Sequence, residues 1–278
     1  SNTTGVRNVA IGRQTLVVNT TGDNNVAVGF NALDSNTTAD SNTAVGYAAL
    51  ITNTTGSENV AIGLESLEAN TTGVKNTAVG FRSLEANTTA SYNIGIGFEA
   101  LKATTTGAYN VAVGTWSMDD NTTGSSNVGI GYSTLESNSS GSGSVAVGID
   151  GLKYNTTASG NTAVGNSAGR NINTGANNTL LGHEAGTASS PSGNLTTHSN
   201  NIVLGDNNVA NLYCADTSIS SSDKRDKTDV ADFTNGLNWV NQLKPVTYRW
   251  DKRCWYDNNT PDGSKKRNKK HIGFLAQD

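Results

Sequence analysis

The sequence predicts an all-β fold in which short strands stack as a β-solenoid, followed by a smaller C-terminal segment of different character. Three observations support this prediction. A five-residue pattern, Asn-Val-Ala-Ile-Gly or a close variant, returns every 17 residues. The composition has 31 glycines and only 15% charged residues, which is unlike an ordinary globular domain. The pattern and the charge balance both change near residue 221.

The repeat begins at Asn8, and its period is constant over most of the chain. Further copies begin at Asn25, Asn42, Asn59, Asn76, Asn93, Asn110, Asn127, Ser144, Asn161 and Asn178. A final copy begins at Asn201, after an insertion at residues 183–200 that contains Pro191. A fixed period is typical of stacked structural units, so we interpret residues 1–217 as one repetitive shaft. Positions in each 17-residue unit are numbered from 1, with Asn8 at position 1.

Each unit is expected to contain one short strand and one tight turn. In the strand, the apolar residues at positions 2 and 4 share one face and the alanine at position 3 takes the other. We predict that positions 2, 4 and 9 form the core, with leucine or methionine at position 9. The Asn-Thr-Thr-Gly of positions 12–15 is turn chemistry, with glycine supplying a positive φ. The constant glycine at position 5 and the β-branched residues argue against a helical repeat.

The expected core is thin, because few apolar side chains accompany the ordering of each coil's backbone. The alanine face of the strand would let another chain approach closely. Both features predict a homotrimer in which neighbouring chains cover that second face.

Two sets of side chains in the repeat have alternative interpretations. Asn-x-Ser/Thr sequences recur at Asn2, Asn19, Asn36, Asn53, Asn70, Asn87, Asn121, Asn138 and Asn155. We interpret them as turn asparagines stacked into a ladder, and N-glycosylation is the alternative. The sequence leaves open whether the aromatic residues stack on sugar rings or pack against a neighbouring chain. They are Phe30, Tyr47, Phe81, Tyr92, Phe98, Tyr109, Trp116, Tyr132 and Tyr154.

Charge and cysteine content exclude several classes of protein. Residues 1–221 carry a net charge of −8 and residues 222–278 one of +4, so we expect no nucleic-acid partner. Cys214 and Cys254 are too few for a disulfide framework and are interpreted as free thiols. No segment has the roughly 20 apolar residues that a membrane span needs. We therefore expect no membrane insertion, and also no cofactor and no bound metal.

The C-terminal segment carries three sequence blocks that the shaft lacks. They are Ser-Asp-x-Arg-x-Lys at 222–227, Leu-Lys-Pro-Val-x-Tyr-x-Trp at 243–250 and Ile-Gly-Phe-Leu-Ala-Gln at 272–277. In order and spacing these blocks resemble the endosialidase-type intramolecular chaperones, a family of self-cleaving peptidases at the C-termini of phage tail spikes and fibres. The shaft motif is similar to the head repeats of trimeric autotransporter adhesins, and still more to repeats of proteins identified as tail fibres.

The chaperone resemblance implies a single-turnover autoprotease. In the family, the serine that opens the first block cuts the bond before itself, and a lysine five positions later assists. Carried over, the nucleophile is Ser222, its base is Lys227 and the scissile bond is Ser221–Ser222. A lysine can act as the base for a serine when burial or nearby cations lower its pKa.

Asp223 and Arg225 complete the first block and are interpreted as supporting residues. Residues 218–278 are interpreted as the start of an α+β chaperone domain, because the family domain normally continues past the third block. The first residues, SNTTG, are the end of a repeat. We therefore expect the chain to be a piece of a longer protein.

These features predict a structural and receptor-binding fibre of a phage or phage-like particle, located in the virion tail and outside the cell. The expected receptor is a cell-surface glycan or an outer-membrane protein. The alternative is a bacterial surface adhesin of the trimeric autotransporter type. A glycan-degrading enzyme ranks last because it needs clustered acids, whereas the glutamates Glu65, Glu68, Glu85, Glu99 and Glu136 occur singly along the repeat.

Overall fold

A computed structural model of the chain describes residues 2–211, residues 264 and 268, and the backbone of two short strands at 246–248 and 271–273. These described residues form β-strands, turns and bends, with no helix among them. The predicted all-β solenoid is therefore confirmed for the shaft.

The shaft contains twelve strands of three residues each, and every strand occupies positions 2–4 of its unit. They form one parallel sheet in sequence order, with each strand paired to the equivalent residues of the next unit, as in Val60↔Thr77. The strands are β1 Val9–Ile11, β2 Val26–Val28, β3 Thr43–Val45, β4 Val60–Ile62, β5 Thr77–Val79, β6 Ile94–Ile96, β7 Val111–Val113, β8 Val128–Ile130, β9 Val145–Val147, β10 Thr162–Val164, β11 Thr179–Leu181 and β12 Ile202–Leu204.

The chain divides into two compact units, residues 1–213 and residues 214–278. In the second unit, β13 (Val246–Tyr248) pairs antiparallel with β14 (His271–Gly273). Most of that unit lies outside the described residues. The boundary at 217/218 and the α+β character of the chaperone segment therefore stay predictions.

Hydrogen bonds between successive coils run around most of the coil, beyond the strands. Val60 N donates to Asn76 O (2.8 Å) at the start of the strand, and Leu67 N donates to Ser83 O (3.0 Å) on the far side of the coil. Buried backbone groups must find such partners. The coil therefore stacks as a whole on its neighbours, and the short strand is only its most regular part.

Side chains at position 3 point into the coil and those at positions 2 and 4 point outwards, which reverses the predicted arrangement. Ala78 is fully buried, whereas Thr77 and Val79 on either side are only half-buried. In β8 the outward Ile130 is 42% exposed. Position 9 behaves as predicted, since Leu84 is fully buried. The apolar core therefore consists mainly of alanine at position 3 and leucine or methionine at position 9, with alanine at position 8 in some coils.

Volume explains why alanine faces inwards. Gly95 takes position 3 in β6, and a Cβ added there would lie 2.6 Å from Ser83 Oγ and 3.3 Å from Leu84 Cγ. The interior beside the leucine column has room for a methyl group at most, so valine or isoleucine at position 3 would overpack it. The alanine face is not free to meet another chain, and that basis for the trimer prediction was wrong.

The same volume limit is seen at the C-terminal end of the shaft, where the large residue stands at position 3 and the small residue at position 9. Leu180, the middle residue of β11, occupies position 3 of its unit. The position-9 residue of the preceding coil is Gly169. A Cβ added to Gly169 would lie 3.0 Å from Leu180 Cδ1 and 2.8 Å from Leu152 Cδ2. Gly186, at position 9 of Leu180's own coil, also makes room, because a Cβ there would meet Leu180 Cδ2. A large residue at position 3 is thus accommodated by two glycines where leucine normally stands.

The two repeated glycine positions have different roles. Gly80, at position 5, has a φ of +136°, and a Cβ there would collide with the backbone of Gly97 in the next coil. Gly73, at position 15, has no positive φ, so the predicted role of that glycine was wrong. A Cβ added to Gly73 would lie close to the carbonyl oxygen of Ala90 in the next coil. Alanine nevertheless occupies the same position in three other coils, at Ala39, Ala90 and Ala158, so position 15 accepts a methyl group. The left-handed residue of this turn is instead position 17, as at Lys75 (φ 58°).

The insertion at residues 183–200 lengthens one coil without interrupting the stack. β11 and β12 remain paired in register, with Thr179 opposite Ile202. The extra loop is closed by Ser190, whose Oγ accepts a hydrogen bond from Gly186 N at 3.1 Å. The inserted residues therefore form a bulge on one side of the coil.

Candidate functional sites

The residues predicted to carry autoproteolysis lie outside the described residues. These are Ser221, Ser222, Asp223, Arg225 and Lys227. Their proximity and their ionisation therefore stay predictions, as does the interpretation of the two cysteines as free thiols.

The position-12 asparagines form a hydrogen-bonded ladder inside the coil. Asn70 Nδ2 donates to Asn53 Oδ1 (2.8 Å) and to Gly73 O (3.1 Å), and Asn87 Nδ2 donates to Asn70 Oδ1 (2.7 Å). Every predicted sequon asparagine after Asn2 is fully buried in this way. The ladder interpretation is confirmed, and these side chains are not accessible for glycosylation in the folded shaft.

Thr104 interrupts this ladder. Asn121 Nδ2 reaches Thr104 Oγ1 only at 3.5 Å, and Asn87 Oδ1 is buried without a hydrogen-bond partner. The ladder ends at Asn155, whose Oδ1 is likewise unpaired because Ile172 follows it. A buried acceptor that has lost water and gained no partner costs about 1–3 kcal/mol. The interruption is therefore a weak point in the middle of the shaft.

A second asparagine ladder, at position 1, was missed by the sequence interpretation. Asn76 Oδ1 accepts from Asn93 N (3.0 Å), while Asn76 Nδ2 donates to Ala90 O (2.9 Å) and approaches Asn59 Oδ1 at 3.2 Å. These amides connect the strand of one coil to the turn of the same coil and to the next strand. The near-constant asparagine that opens each unit was the available signal.

The outward face of the sheet carries two columns of apolar or threonine side chains, at positions 2 and 4. Among them, Ile62, Ile96 and Leu181 each remain about two-fifths exposed. With twelve strands spaced about 4.8 Å apart, the columns extend roughly 50 Å along the shaft. A mostly apolar strip of this length, interrupted only by threonine in some coils, indicates an interaction surface.

Aromatic side chains form stacks on the outside of the coil. Phe81 and Phe98 stack with ring centroids 5.1 Å apart, and Trp116 meets Phe98 edge-on at 6.2 Å. A separate pair, Tyr92 and Tyr109, stacks at 5.0 Å. Within each stacked pair the two rings cover part of one another's faces.

Charged side chains form short ion-pair rows between coils. Arg82 Nε lies 2.6 Å from Glu65 Oε2 and 3.8 Å from Glu85 Oε1. Oxygen atoms of Glu65, Glu68 and Glu85 all lie within 4.8 Å of one another, so the expectation that these glutamates are isolated was wrong. Burial, followed by repulsion from Glu65 and Glu85, raises the pKa of Glu68. Arg82 neutralises part of the cluster, whose arrangement is that of a structural ion-pair network.

Asp119 lies between these rows and is half-buried. Desolvation raises the pKa of its carboxyl to about 6, against the lowering effect of Lys102. Its Oδ1 has no hydrogen-bond partner among the described residues.

Comparison with known proteins identifies one region of the chain. Among the described residues there is no helix long and apolar enough to cross a membrane. No curated protein and no solved structure matches the chain. Residues 222–278 match the family described as chaperone of endosialidase. The chain therefore combines a shaft of stacked β-coils with a C-terminal segment that matches the endosialidase chaperone family.

Proposed function

We propose that this chain is a structural and receptor-binding fibre of a phage or phage-like particle, assembled as a homotrimer by its own C-terminal chaperone. The observation that carries the proposal is the match of residues 222–278 to the endosialidase chaperone family, C-terminal to a twelve-strand solenoid. Chaperones of this kind are associated with trimerisation and with elongated fibres and spikes. A solenoid extends by repetition, which suits a shaft.

The outward strand face is the surface that we propose for contact between the three chains. Val60 and Ile62 of β4 and their equivalents in other coils lie on this face. Burial of apolar surface is worth roughly 25 cal/mol per Å², so covering columns of this length would contribute substantially to a thin shaft. The face also repeats every coil, so three identical chains can meet in the same register along their whole length.

The receptor is proposed to be a surface glycan or an outer-membrane protein, bound along the sides of the fibre. Exposed aromatic residues such as Tyr109, which is 60% exposed, support this proposal. Tyrosine and tryptophan side chains combine an apolar body with a polar group, which suits contact with sugars.

Assembly through the outward face is tested by placing one charge on it. In the full chain, Ile130→Lys should shift the native mass from trimer towards monomer, because three buried ammonium groups would meet at one level. Ile149→Lys is the matched control, since Ile149 is at position 6 and is 51% exposed. A monomeric wild-type chain would contradict the trimer. Equal effects of the two substitutions would contradict the assignment of the face.

Autoproteolysis is proposed at the bond between Ser221 and Ser222, with Ser222 as nucleophile and Lys227 as base. The chain is expressed together with any sequence that follows residue 278 in its gene. The polypeptide should then split without added protease, and N-terminal sequencing of the released piece should begin at Ser222. Ser222→Ala and Lys227→Ala should each leave a full-length chain that still forms trimers. Cleavage that persists in Ser222→Ala, or begins elsewhere, would contradict the assignment.

A further inference from the structure

The last two described coils bring together one histidine and two acidic side chains. His183 and Asp206 both occupy position 6, in the coils that begin at Asn178 and Asn201, and therefore lie one above the other. His183 Nδ1 is 3.1 Å from Asp206 Oδ2. Glu184 is the next residue, and its carboxylate lies with the other two groups so that all three potential ligand atoms fall within 4.8 Å of one another.

We propose that His183, Glu184 and Asp206 bind a first-row divalent transition-metal ion such as Zn²⁺. Zinc bonds to imidazole nitrogen and carboxylate oxygen are about 2.0–2.2 Å, which places neighbouring ligand atoms of a tetrahedral site roughly 3.3 Å apart. The observed separation of His183 Nδ1 and Asp206 Oδ2 is already close to this value. The Glu184 carboxylate needs only a side-chain rotation to reach the same centre.

The ligand types favour a transition metal over calcium or magnesium. An imidazole nitrogen suits zinc, nickel, copper or iron, whereas calcium and magnesium take oxygen ligands almost exclusively. Three protein ligands leave at least one position for water, and the His183 side chain is largely exposed. The ion is therefore exchangeable.

The surrounding structure holds two of the ligands in place. Asn208 donates to Asp206 through its backbone N (3.0 Å, to Oδ1) and its Nδ2 (3.0 Å, to Oδ2). These two hydrogen bonds fix the orientation of the Asp206 carboxylate. Glu184 N donates to Asn166 O at 2.9 Å, which fixes its backbone. Such outer contacts orient metal ligands in known sites.

The position of the cluster gives the ion a structural role. Leu181, Leu204 and Val209 line a cleft beside the same residues, and an apolar wall strengthens electrostatic binding next to it. An ion here would join two coils whose connection carries the insertion. Because it binds only the folded state, it would stabilise this end of the solenoid.

The test is zinc titration of the full chain by calorimetry, after removal of metal with a chelator and in a Cys214→Ser, Cys254→Ser background that removes thiolate ligands. We expect one zinc ion per chain, bound at least tenfold more weakly in His183→Gln and in Glu184→Gln. His198→Gln is the matched control, because His198 is exposed and belongs to no such cluster; it should bind as the parent does. The melting temperature should rise with zinc in the parent and the control only.

Three results would overturn the proposal. Equal zinc affinity in the parent and both cluster variants would mean that His183 and Asp206 form only an ion pair. Loss of binding in His198→Gln to the same extent would indicate surface binding without a defined site. Calcium affinity equal to that for zinc would exclude the imidazole as a ligand.

Discussion

The two faces of the stacked strands are both largely apolar but differ strongly in side-chain volume. The inner face carries alanine or glycine in nearly every coil, whereas the outer face carries valine, isoleucine, leucine or threonine. Strict alternation along a strand separates two faces but does not say which is inside. In a coil of 17 residues the lumen is filled by the position-9 leucine and the asparagine ladder. The comparison teaches that lumen volume, more than hydrophobicity, decides which face is buried.

The largest expected effect is at Gly80, where neighbouring coils touch backbone to backbone. Gly80→Val should destabilise the shaft by about 4 kcal/mol or more, because the side chain adds both a strained φ and a collision with Gly97. Gly143→Val is the control, since Gly143 also has a positive φ (67°) but no atom within 4 Å of an added Cβ. Urea unfolding measures both. An equal loss of unfolding free energy in the two variants would mean that only φ strain destabilises them and that the coils are not closely packed at position 5.

The next effect compares the inner and outer faces directly. Ala78→Leu should cost about 1–3 kcal/mol by overpacking the lumen, whereas Val79→Leu, one residue along on the outer face, should cost less than about 0.5 kcal/mol. The second substitution is natural at this position, as Leu181 shows.

The natural exchange at Gly169 and Leu180 suggests a sharper version of this experiment. Combining Ala78→Leu with Leu67→Gly recreates the Gly169 half of that exchange in the middle of the shaft. The double variant should be more stable than the sum of the two single losses predicts, by about 1 kcal/mol or more. Strict additivity would contradict a shared lumen volume.

A smaller, stabilising effect is expected from repairing the asparagine ladder. Thr104→Asn would supply a donor to Asn87 Oδ1 and an acceptor to Asn121 Nδ2, and should raise the free energy of unfolding by about 1 kcal/mol. Thr106→Asn, at an exposed position of the same coil, should leave it unchanged. A destabilised Thr104→Asn variant would mean that the ladder contributes little to the shaft.

The smallest expected effect concerns Asp119, whose side chain is half-buried at the surface of the coil. Its folded pKa of about 6 lies above the ordinary value of 3.8, so the folded state binds the proton more tightly. This contribution makes the shaft more stable as the pH falls from about 6 towards 4 and less stable at pH 7. Because the group is half-buried and screened, we expect about 1 kcal/mol or less.

The same reasoning predicts the behaviour of Asp119→Asn. The variant should be more stable than the parent at pH 7 and lose this advantage near pH 4, as followed by urea unfolding at both values. Asp120 is the next residue and is exposed, so Asp120→Asn should leave the free energy of unfolding nearly unchanged at both pH values. A parent and an Asp119→Asn variant that respond to pH alike would contradict the desolvation of Asp119.

Much of the shaft could be predicted from the sequence because its information repeats. The 17-residue period, the strand at positions 2–4, the parallel stacking and the buried leucine at position 9 all follow from local pattern and are found. The position-12 ladder was also predictable, since identical turn residues in stacked coils must meet.

What could not be predicted depends on distances across the coil. The width of the lumen determines that the Ala78 side chain points inwards. The close approach of Gly73 to the next coil, and the clustering of Glu65 with Glu85 or of His183 with Asp206, join residues 17 or more apart in sequence. Such neighbours become visible only when the positions of successive coils are aligned. In a shaft of this kind, residues at equivalent positions of successive coils must therefore be compared with one another as well as with their neighbours along the chain.

The most direct test is an electron cryo-microscopy map of the assembled fibre. We predict three chains around one axis, each a solenoid with coils about 4.8 Å apart, with the position-2 and position-4 side chains of β1–β12 packed between the chains. A map of a single chain, or of a trimer whose outward strand faces are turned to solvent, would contradict the assignment of that face as the surface of assembly.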